Sequence, residues 1–309
     1  MSKPKSVSRL LFVLATLLAL MGLVAALAAQ SAPLPTQTPA QLPEPDVSGP
    51  IEDVQLFYSV PPPADAQPAG VNATTIRFAH LAPFAPSING TRVTVKLDGA
   101  NVITNFGYGD KTAYQSVTTG THQIQVLQGT TPIIDANVNL AAGAFSIIIV
   151  GDNNLVPRAL WVVDDNEPPP AAGTATLRVA HAAVLGSTID ATRVDVCRQD
   201  GQPMNWASAL GLRYVRVTDY RRNLTPMTYD LKITRHVSDD QPCAGEIVID
   251  LPPIMLGPQV TTIYLVGDGT NRPLGYFLFD TSQQPPTPTP SPTPPPPGAF
   301  KSFIPSIRK

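Results

Sequence analysis

The sequence lacks the short motifs that mark many enzymes and metal sites, and it carries no excess of positive charge. HExxH, GxSxG and CxxC do not occur in its 309 residues, so the metalloprotease, serine-hydrolase and redox classes that they mark are not indicated. The formal net charge of −2 leaves no basic surface of the kind that binds nucleic acid. Only 14% of the residues are charged and 35 are proline, and this much proline excludes a fold of long helices.

The N-terminus has the pattern of a secretion signal. An uncharged apolar run at 10–29 follows three basic residues and ends in small residues, as signal peptides do. We therefore predict a signal peptide at 1–28 and an exported protein, located outside the cell or at its surface. The run is also long enough to span a bilayer, so an uncleaved signal would anchor the chain, and this is the only membrane contact that the sequence suggests.

Proline-rich segments flank the central part of the chain. Residues 29–70 mix proline with small and polar residues, and 283–297 hold nine prolines. Such segments bury too little apolar surface to fold, so we predict disordered linkers at both ends. The second is a semi-rigid spacer of roughly 40 Å in polyproline II, followed by a tail at 298–309. Within the first linker, 51–60 is either a strand that docks on the first domain or an apolar patch.

Between these linkers the sequence repeats itself. Residues 75–80 (TIRFAH) match 176–181 (TLRVAH), and later 150–152 match 266–268 (both VGD). The offset grows from 101 to 116 residues, so the second copy carries about fifteen extra residues. A unit of this length indicates tandem domains. The predicted boundaries are 71–166 for the first repeat, 167–173 for the linker and 174–282 for the second repeat.

Within each copy, apolar side chains recur at every second residue. Residues 93–97 (VTVKL) and 229–233 (YDLKI) show this alternation, which indicates half-buried strands. Turn signals such as Asn-Gly at 89–90 and Asp-Gly at 98–99 separate the strands. We predict an all-β protein with two tandem immunoglobulin-like antiparallel β-sandwich domains.

Several of these segments together resemble a known family. Residues 77–86 (RFAHLAPFAP), 93–99 (VTVKLDG), 106–107 (FG), Tyr114 and 120–122 (GTH) resemble the secreted bacterial domain-of-unknown-function family 4397. The second copy keeps part of this pattern but lacks the two prolines that follow the histidine. The resemblance implies an exported, often tandem, envelope-associated β-domain with no assigned activity and no catalytic residues. The C-terminal tail is similar to short surface-sorting ends of bacterial secreted proteins.

Cys197 and Cys243 are the only cysteines of the chain. An even number of cysteines in an exported protein favours a disulfide over free thiols. The bridge would close a loop of about 46 residues that contains the extra residues of the second copy. We hypothesise that the disulfide constrains this insertion, which the first copy lacks.

His80 and His181 occupy equivalent positions in the two copies. The pair suggests a metal site or acid–base chemistry, but a residue repeated in a repeated strand more often fills a structural position. We interpret both as buried imidazoles that are hydrogen-bonded to backbone carbonyl groups.

Acidic residues gather in turns at the junction of the copies and near the end of the second copy. Asp164, Asp165, Glu167 and Asp268 offer oxygen ligands for calcium. The same residue types are typical of tight turns, and no EF-hand spacing occurs. Calcium is therefore the one cofactor that the sequence suggests, and structural turns are the alternative.

Aromatic and arginine side chains are candidates for a ligand-binding face. Such side chains stack on sugars and bind anionic polymers. The alternative is that the aromatic residues belong to the core and that the arginines belong to a solvated edge strand. The members of this set are Tyr108, Tyr114, Trp206, Arg213, Tyr214 and Arg216.

These observations favour a non-catalytic secreted or cell-envelope protein. Its tandem β-sandwich module would adhere to, space or bind another surface component, such as an envelope polysaccharide or a surface protein. A secreted hydrolase with residues dispersed over loops is one alternative, and it requires His80 or His181 within hydrogen-bonding distance of a carboxylate. A subunit of a surface assembly is the other, docking through a strand such as 51–60 or through the C-terminal tail.

Overall fold

The computed structural model describes residues 56–58, 74–188, 190–204 and 206–280. The predicted signal peptide, most of the first linker, the C-terminal spacer and the tail lie outside these residues. The described part is all-β, as the alternating patterns predict, with nineteen strands and three short 3-10 turns. None of the described residues forms a helix with the length and apolar character needed to cross a bilayer.

Repeat 1 is a sandwich of two sheets. One sheet has the strand order β1-β9-β8-β2-β5 and the other β4-β3-β6-β7. Alternate side chains of both sheets, such as Phe78, Ile124 and Ile147, point inward and are fully buried between them. The strands are β1 (Leu56–Tyr58), β2 (Thr74–His80), β3 (Val93–Leu97), β4 (Ala100–Phe106), β5 (Gln115–Val117), β6 (Gly120–Gln128), β7 (Thr131–Leu140), β8 (Gly143–Val150) and β9 (Ala159–Asp164).

Repeat 2 has the same plan with shorter strands. Its main sheet has the order β12-β10-β18-β19, with β13 also paired to β10, and faces a β11-β15-β16 sheet and a β14-β17 pair. Leu177, Val196 and Ile263 lie in the core between them. The strands are β10 (Ala175–His181), β11 (Val194–Arg198), β12 (Arg216–Val217), β13 (Arg221–Leu224), β14 (Thr228–Tyr229), β15 (Leu231–Arg235), β16 (Ile247–Asp250), β17 (Ile254–Met255), β18 (Val260–Val266) and β19 (Gly275–Asp280).

The main sheet of each repeat is mixed, which corrects the prediction of antiparallel sandwiches, whereas the facing sheets are antiparallel. β2 and its counterpart β10 each run parallel to a late strand of the same repeat, β8 and β18 respectively, and β1 runs parallel to β9. Alternation of side chains tells which face of a strand is buried, but it is the same for both strand directions. Both repeats nevertheless share one compact unit, and the boundaries proposed between them stay a prediction.

The predicted disulfide joins Cys197 to Cys243, with a Cα–Cα distance of 5.9 Å. Cys197 lies in β11, and Cys243 lies in the segment 236–246 that connects β15 to β16. The corresponding strands of repeat 1, β6 and β7, are joined by only two residues, so Cys243 lies in added chain. The buried Asp195 carboxylate holds the same segment, since it accepts the Cys243 N–H at 3.0 Å.

Reducing the disulfide is expected to lower the free energy of unfolding by about 4 kcal/mol, because the bridge closes a loop of 46 residues in the unfolded chain. Urea unfolding with and without a thiol reductant measures this difference. A Cys197→Ala/Cys243→Ala variant serves as the control, because it should be as unstable as the reduced protein and insensitive to reductant. Equal stability of the oxidised and reduced proteins would contradict the expectation.

The repeated VGD motif forms the same loop in both repeats. Gly151 and Gly267 both have φ = +94°, and a Cβ on either would lie 2.2 Å from a proline carbonyl oxygen. The aspartate that follows accepts three backbone N–H groups: Asp152 Oδ1 those of residues 154–156, and Asp268 Oδ1 those of residues 270–272. The repetition therefore preserves a loop geometry.

Replacing Gly267 with alanine is expected to destabilise the protein by more than about 2 kcal/mol, because strain at positive φ adds to a collision with backbone. Gly99 is the matched control, since it has φ = +82° and nothing lies within 4 Å of the place that a methyl group would take there. Gly99→Ala should cost only about 1 kcal/mol. Thermal unfolding of both variants checks the difference, and equal losses would show that the collision is relieved at no cost.

Candidate functional site

The two repeats meet through one buried apolar cluster, here named the junction cluster. Several positions are shared by both repeats; for example, Ile148 and Val163 correspond to Tyr264 and Phe279 at the 116-residue offset. The faces that pack against each other therefore include equivalent positions of the two repeats. The buried members are Ala79, Leu81, Ile148, Val150, Val156, Ala159, Trp161 and Val163 from repeat 1 and Ala180, Ala182, Val184, Tyr214, Val215, Tyr264, Val266 and Phe279 from repeat 2.

A charged cluster lies beside it, with Asp165 at its centre. The Asp165 side chain is fully buried, and four side chains donate to its carboxylate. Arg77 Nη2 lies 3.5 Å from Oδ2 and the Tyr114 hydroxyl 2.7 Å from Oδ2. Arg178 Nη2 donates to Oδ1, and Ser146 Oγ donates to Oδ2. One carboxylate thus binds arginines from both repeats; we name these residues the Asp165 cluster.

The two arginines make equivalent contacts within their own repeats. Arg77 Nε donates to Ser146 Oγ at 2.7 Å, and Arg178 Nε donates to Thr262 Oγ1 at 3.0 Å. Each guanidinium also lies over a tyrosine ring, with Arg77 4.7 Å from the centroid of Tyr114. These contacts within each repeat hold both guanidinium groups in place independently of the contacts between the repeats.

Each arginine also reaches the last residue of the other repeat's final strand. Arg77 Nη1 donates to the Asp280 carbonyl at 2.8 Å, and Arg178 Nη1 donates to the Asp164 carbonyl at 2.7 Å. Burial alone would lower the pKa of Arg77, but the Asp165 charge raises it, so the guanidinium stays protonated. The reciprocal bonds tie β9 to repeat 2 and β19 to repeat 1.

His80 and His181 are fully buried and make equivalent hydrogen bonds. Nε2 of His80 lies 2.8 Å from the Thr91 carbonyl oxygen, and Nε2 of His181 lies 2.7 Å from that of Thr192. Nδ1 of His80 accepts the Ala82 N–H at 3.3 Å. Burial lowers the pKa of both imidazoles to about 4, so both rings are neutral at pH 7 and donate from Nε2.

The carboxylates considered for calcium are directed to protein donors. Asp165 binds the two arginines, and Glu167 pairs with Arg222, whose Nη2 lies 2.8 Å away. Asp164 accepts the N–H of residue 166 at 2.7 Å, and Asp268 closes the loop described above. Within the described ranges, no group of three or more potential metal ligands is assembled.

The aromatic residues expected in a ligand-binding face lie in different places, and two of them are buried. Trp206 lies in the repeat 2 core, and Tyr214 lies in the junction cluster. Tyr108 packs against the same cluster, whereas Tyr114 belongs to the Asp165 cluster. They do not form one exposed face, because Tyr108 and Tyr214 pack at the junction whereas Trp206 lies inside repeat 2.

The arginines of that set lie near the junction without forming a joint patch with the aromatic rings. Arg213 Nε lies 3.7 Å from Asp190 Oδ1, and Arg216 lies in the short strand β12, half-buried, opposite His181. Their role in ligand binding stays a prediction.

Two histidine–carboxylate pairs were not anticipated from the sequence. Nδ1 of His122 lies 2.7 Å from Asp98 Oδ2, and Nδ1 of His236 lies 2.8 Å from Asp195 Oδ1. The other ring nitrogen of each is also engaged, by the Thr118 carbonyl at 2.9 Å and by an Asp239 carboxylate oxygen at 3.4 Å. The partners lie 24 to 41 residues apart, and no local motif connects them.

The comparisons with known proteins support a family for part of the chain. No curated protein matches it. Among solved structures, the C-terminal domain of AlgF from P. aeruginosa matches with 16% identity and a TM-score of 0.24, over 35% of this chain and 98% of that domain. Residues 74–192 match the model of the family Domain of unknown function (DUF4397). The match contains Arg77, Asp165 and Arg178, and it supports the predicted family for this segment, whereas a tandem pair of family members and a sorting-type tail stay predictions.

Proposed function

We propose that this chain is an exported, non-catalytic component of the cell envelope or extracellular surface. Its two β-sandwich repeats act as one fixed body that spaces or binds another surface component, such as an envelope polysaccharide or a surface protein. The Asp165 cluster carries the proposal, because a buried carboxylate shared by arginines of both repeats opposes hinge motion between them.

A fixed body suits a spacer or a binding platform better than a hinged pair of domains does. Domains joined by a short linker normally move relative to each other unless their interface is large and apolar. Here the junction cluster supplies the apolar interface, and the reciprocal Arg77 and Arg178 bonds add directional contacts across it. The distance between the two ends of such a body does not change, as a spacer requires.

The histidine geometry favours this role over the hydrolase alternative. A general base needs one ring nitrogen that faces the proton it removes. Both nitrogens of His80 are engaged by backbone groups, and His181 is buried with its Nε2 on a carbonyl. The nitrogens of His122 and His236 are likewise occupied, so acid–base catalysis by His80, His122 or His236 would first require breaking a structural bond. The remaining nitrogen, Nδ1 of His181, has no hydrogen-bond partner but is buried.

Export is supported by two independent features. The first is the signal-like sequence at 1–28. The second is the Cys197–Cys243 disulfide, a bond that persists in oxidising compartments and is rare in the cytosol.

A binding experiment with the mature chain, residues 29–309, tests the proposal. Immobilised protein is expected to retain an envelope polysaccharide or a surface protein and to release no new reducing ends from the polysaccharide. His236→Ala is the control for hidden catalysis. Release of reducing ends by the wild-type protein that this variant loses would overturn the non-catalytic role, and cytosolic accumulation of the full-length chain would overturn export.

A further inference from the structure

Strand β1 extends the main sheet of repeat 1. It pairs in parallel with β9, and Leu56, Phe57 and Tyr58 lie opposite Leu160, Trp161 and Val162. Leu56 packs against the repeat 1 core and Phe57 against the junction cluster. The outer edge of β9 is therefore an acceptor for an extended segment, and residues Leu56–Tyr58 of this chain supply it.

The equivalent edge in repeat 2 has no strand on it in the part of the chain that the structure describes. β19 begins and ends 116 residues after β9 and stands at the end of its sheet. Residues 159–163 of β9 are buried, whereas residues 275–278 of β19 are half-buried or exposed, with Leu278 40% exposed. An exposed edge of this kind is a template for pairing with another strand.

We propose that the outer edge of β19 is a strand-acceptor site and that its occupant is the 51–60 segment of a second copy of this chain. This inference goes beyond the proposed role, because it gives the protein a means of self-assembly through β-strand addition. The segment is a suitable occupant because its residues Leu56–Tyr58 already pair with the matching edge of β9.

Charge complementarity favours this occupant. If the β1 register is transferred to β19, Leu56 lies opposite Tyr276 and Tyr58 opposite Leu278. Continued toward the N-terminus, the same register brings Glu52 opposite Arg272. Nε and Nη2 of Arg272 are buried without a hydrogen-bond partner, whereas the residue of repeat 1 at this position is Val156. Arg272 lies in the loop that precedes β19, with its guanidinium over the Tyr108 ring. A carboxylate continued beyond this end of the strand therefore meets a cation there, whereas the corresponding residue of repeat 1 is an uncharged valine.

Side chains of repeat 1 partly cover the C-terminal end of the β19 edge, and removing one of them tests the site. Arg77 binds the Asp280 carbonyl, but Arg178 binds the corresponding Asp164 carbonyl and β1 still pairs with β9. Lys111 Nζ, at 3.4 Å from the Leu278 carbonyl, has the apolar Val217 as its counterpart in repeat 2. An incoming strand would have to displace Lys111, so its removal should strengthen binding.

The test uses a fluorescent peptide of sequence IEDVQLFYSV, residues 51–60, titrated into the mature chain. The β1 strand of the protein itself keeps the β9 edge occupied during the titration, because a tethered strand has an effective concentration in the mM range. Saturable binding is expected, with Lys111→Ala increasing affinity. A Glu52→Lys peptide should bind about tenfold more weakly, and Arg272→Ala should abolish the difference between the two peptides.

A cysteine pair locates the peptide on the protein. A Tyr58→Cys peptide should form a disulfide with Leu278→Cys protein and not with Val162→Cys protein. Absence of binding at about 1 mM peptide, well within the range that tethering supplies, would overturn the proposal. Cross-linking to position 162 would also overturn it, because the peptide would then be bound at β9. Displacement of the peptide from β19 by a second peptide of residues 298–309 would overturn it too, because the C-terminal tail would then be the occupant of the edge.

Discussion

Replacing Asp165 with asparagine is expected to lower the free energy of unfolding by about 3–5 kcal/mol. The substitution keeps the size of the side chain but leaves the guanidinium groups of Arg77 and Arg178 buried without their carboxylate. Burial of a charge without its partner is costly because the group has lost its hydration. Denaturant unfolding, followed by the fluorescence of the buried Trp161 and Trp206 and by circular dichroism, measures the loss.

Asp200→Asn is the matched control, because Asp200 also pairs with an arginine, Arg198, but both side chains are about half exposed. Exposed pairs contribute about 0–1 kcal/mol, so the control should stay close to wild type. The wild-type protein should unfold in one transition, whereas Asp165→Asn should separate the signals of the two repeats. A variant as stable as Asp200→Asn would show that the Asp165 cluster does not hold the repeats together.

Much of the fold could be predicted because side-chain alternation and internal repetition are local properties of the sequence. The match of residues 75–80 to 176–181 corresponds to β2 and β10, and the second offset relates β9 to β19 residue by residue. Strand direction could not be predicted. The parallel pairing of β2 with β8 joins residues about 70 apart, and nothing within either strand encodes its neighbour's direction.

The role of Asp165 was the main feature that sequence reasoning missed. Its position beside Asp164 and Glu167 suggested calcium ligands or a tight turn, but the carboxylate binds arginines 88 and 13 residues away. One signal was available: Arg77 and Arg178 are charged residues at the same position of two otherwise apolar strands. A charge repeated within a buried strand predicts a buried partner.

Backbone conformation at the junction was also beyond the sequence. Val215 has φ = +51°, and its repeat 1 counterpart, Gly109, has φ = +90°. Each donates its N–H, at 2.8 Å, to the carbonyl of the preceding repeated histidine. A β-branched residue is rare at positive φ, so a valine at this place argues for a strand and not for a turn. Packing of the Val215 side chain in the junction cluster offsets the strain.

The second large expected effect is a loss of stability in acid that comes from His80 and His181. Burial lowers the pKa of both to about 4 in the folded state, against about 6.5 in the unfolded chain. Between these values the unfolded state binds protons that the folded state does not, so stability falls as pH falls from about 6.5 to about 4. Each histidine should contribute a loss of about 3 kcal/mol across this window.

Variants separate this contribution from that of the carboxylates. Glutamine can donate from Nε2 to the Thr91 or Thr192 carbonyl but does not titrate, so His80→Gln/His181→Gln should lose much of the acid dependence seen in urea unfolding between pH 7 and 4. His122→Gln is a control of opposite sign. A hydrogen bond to Asp98 raises the pKa of His122, so that histidine stabilises the protein at low pH, and its contribution disappears as pH rises through the raised pKa. If the double variant and the wild type showed parallel stability curves down to pH 4, the two buried imidazoles would have to be protonated in the folded state, and the hydrogen bonds to the two carbonyl groups would then belong to imidazolium rings.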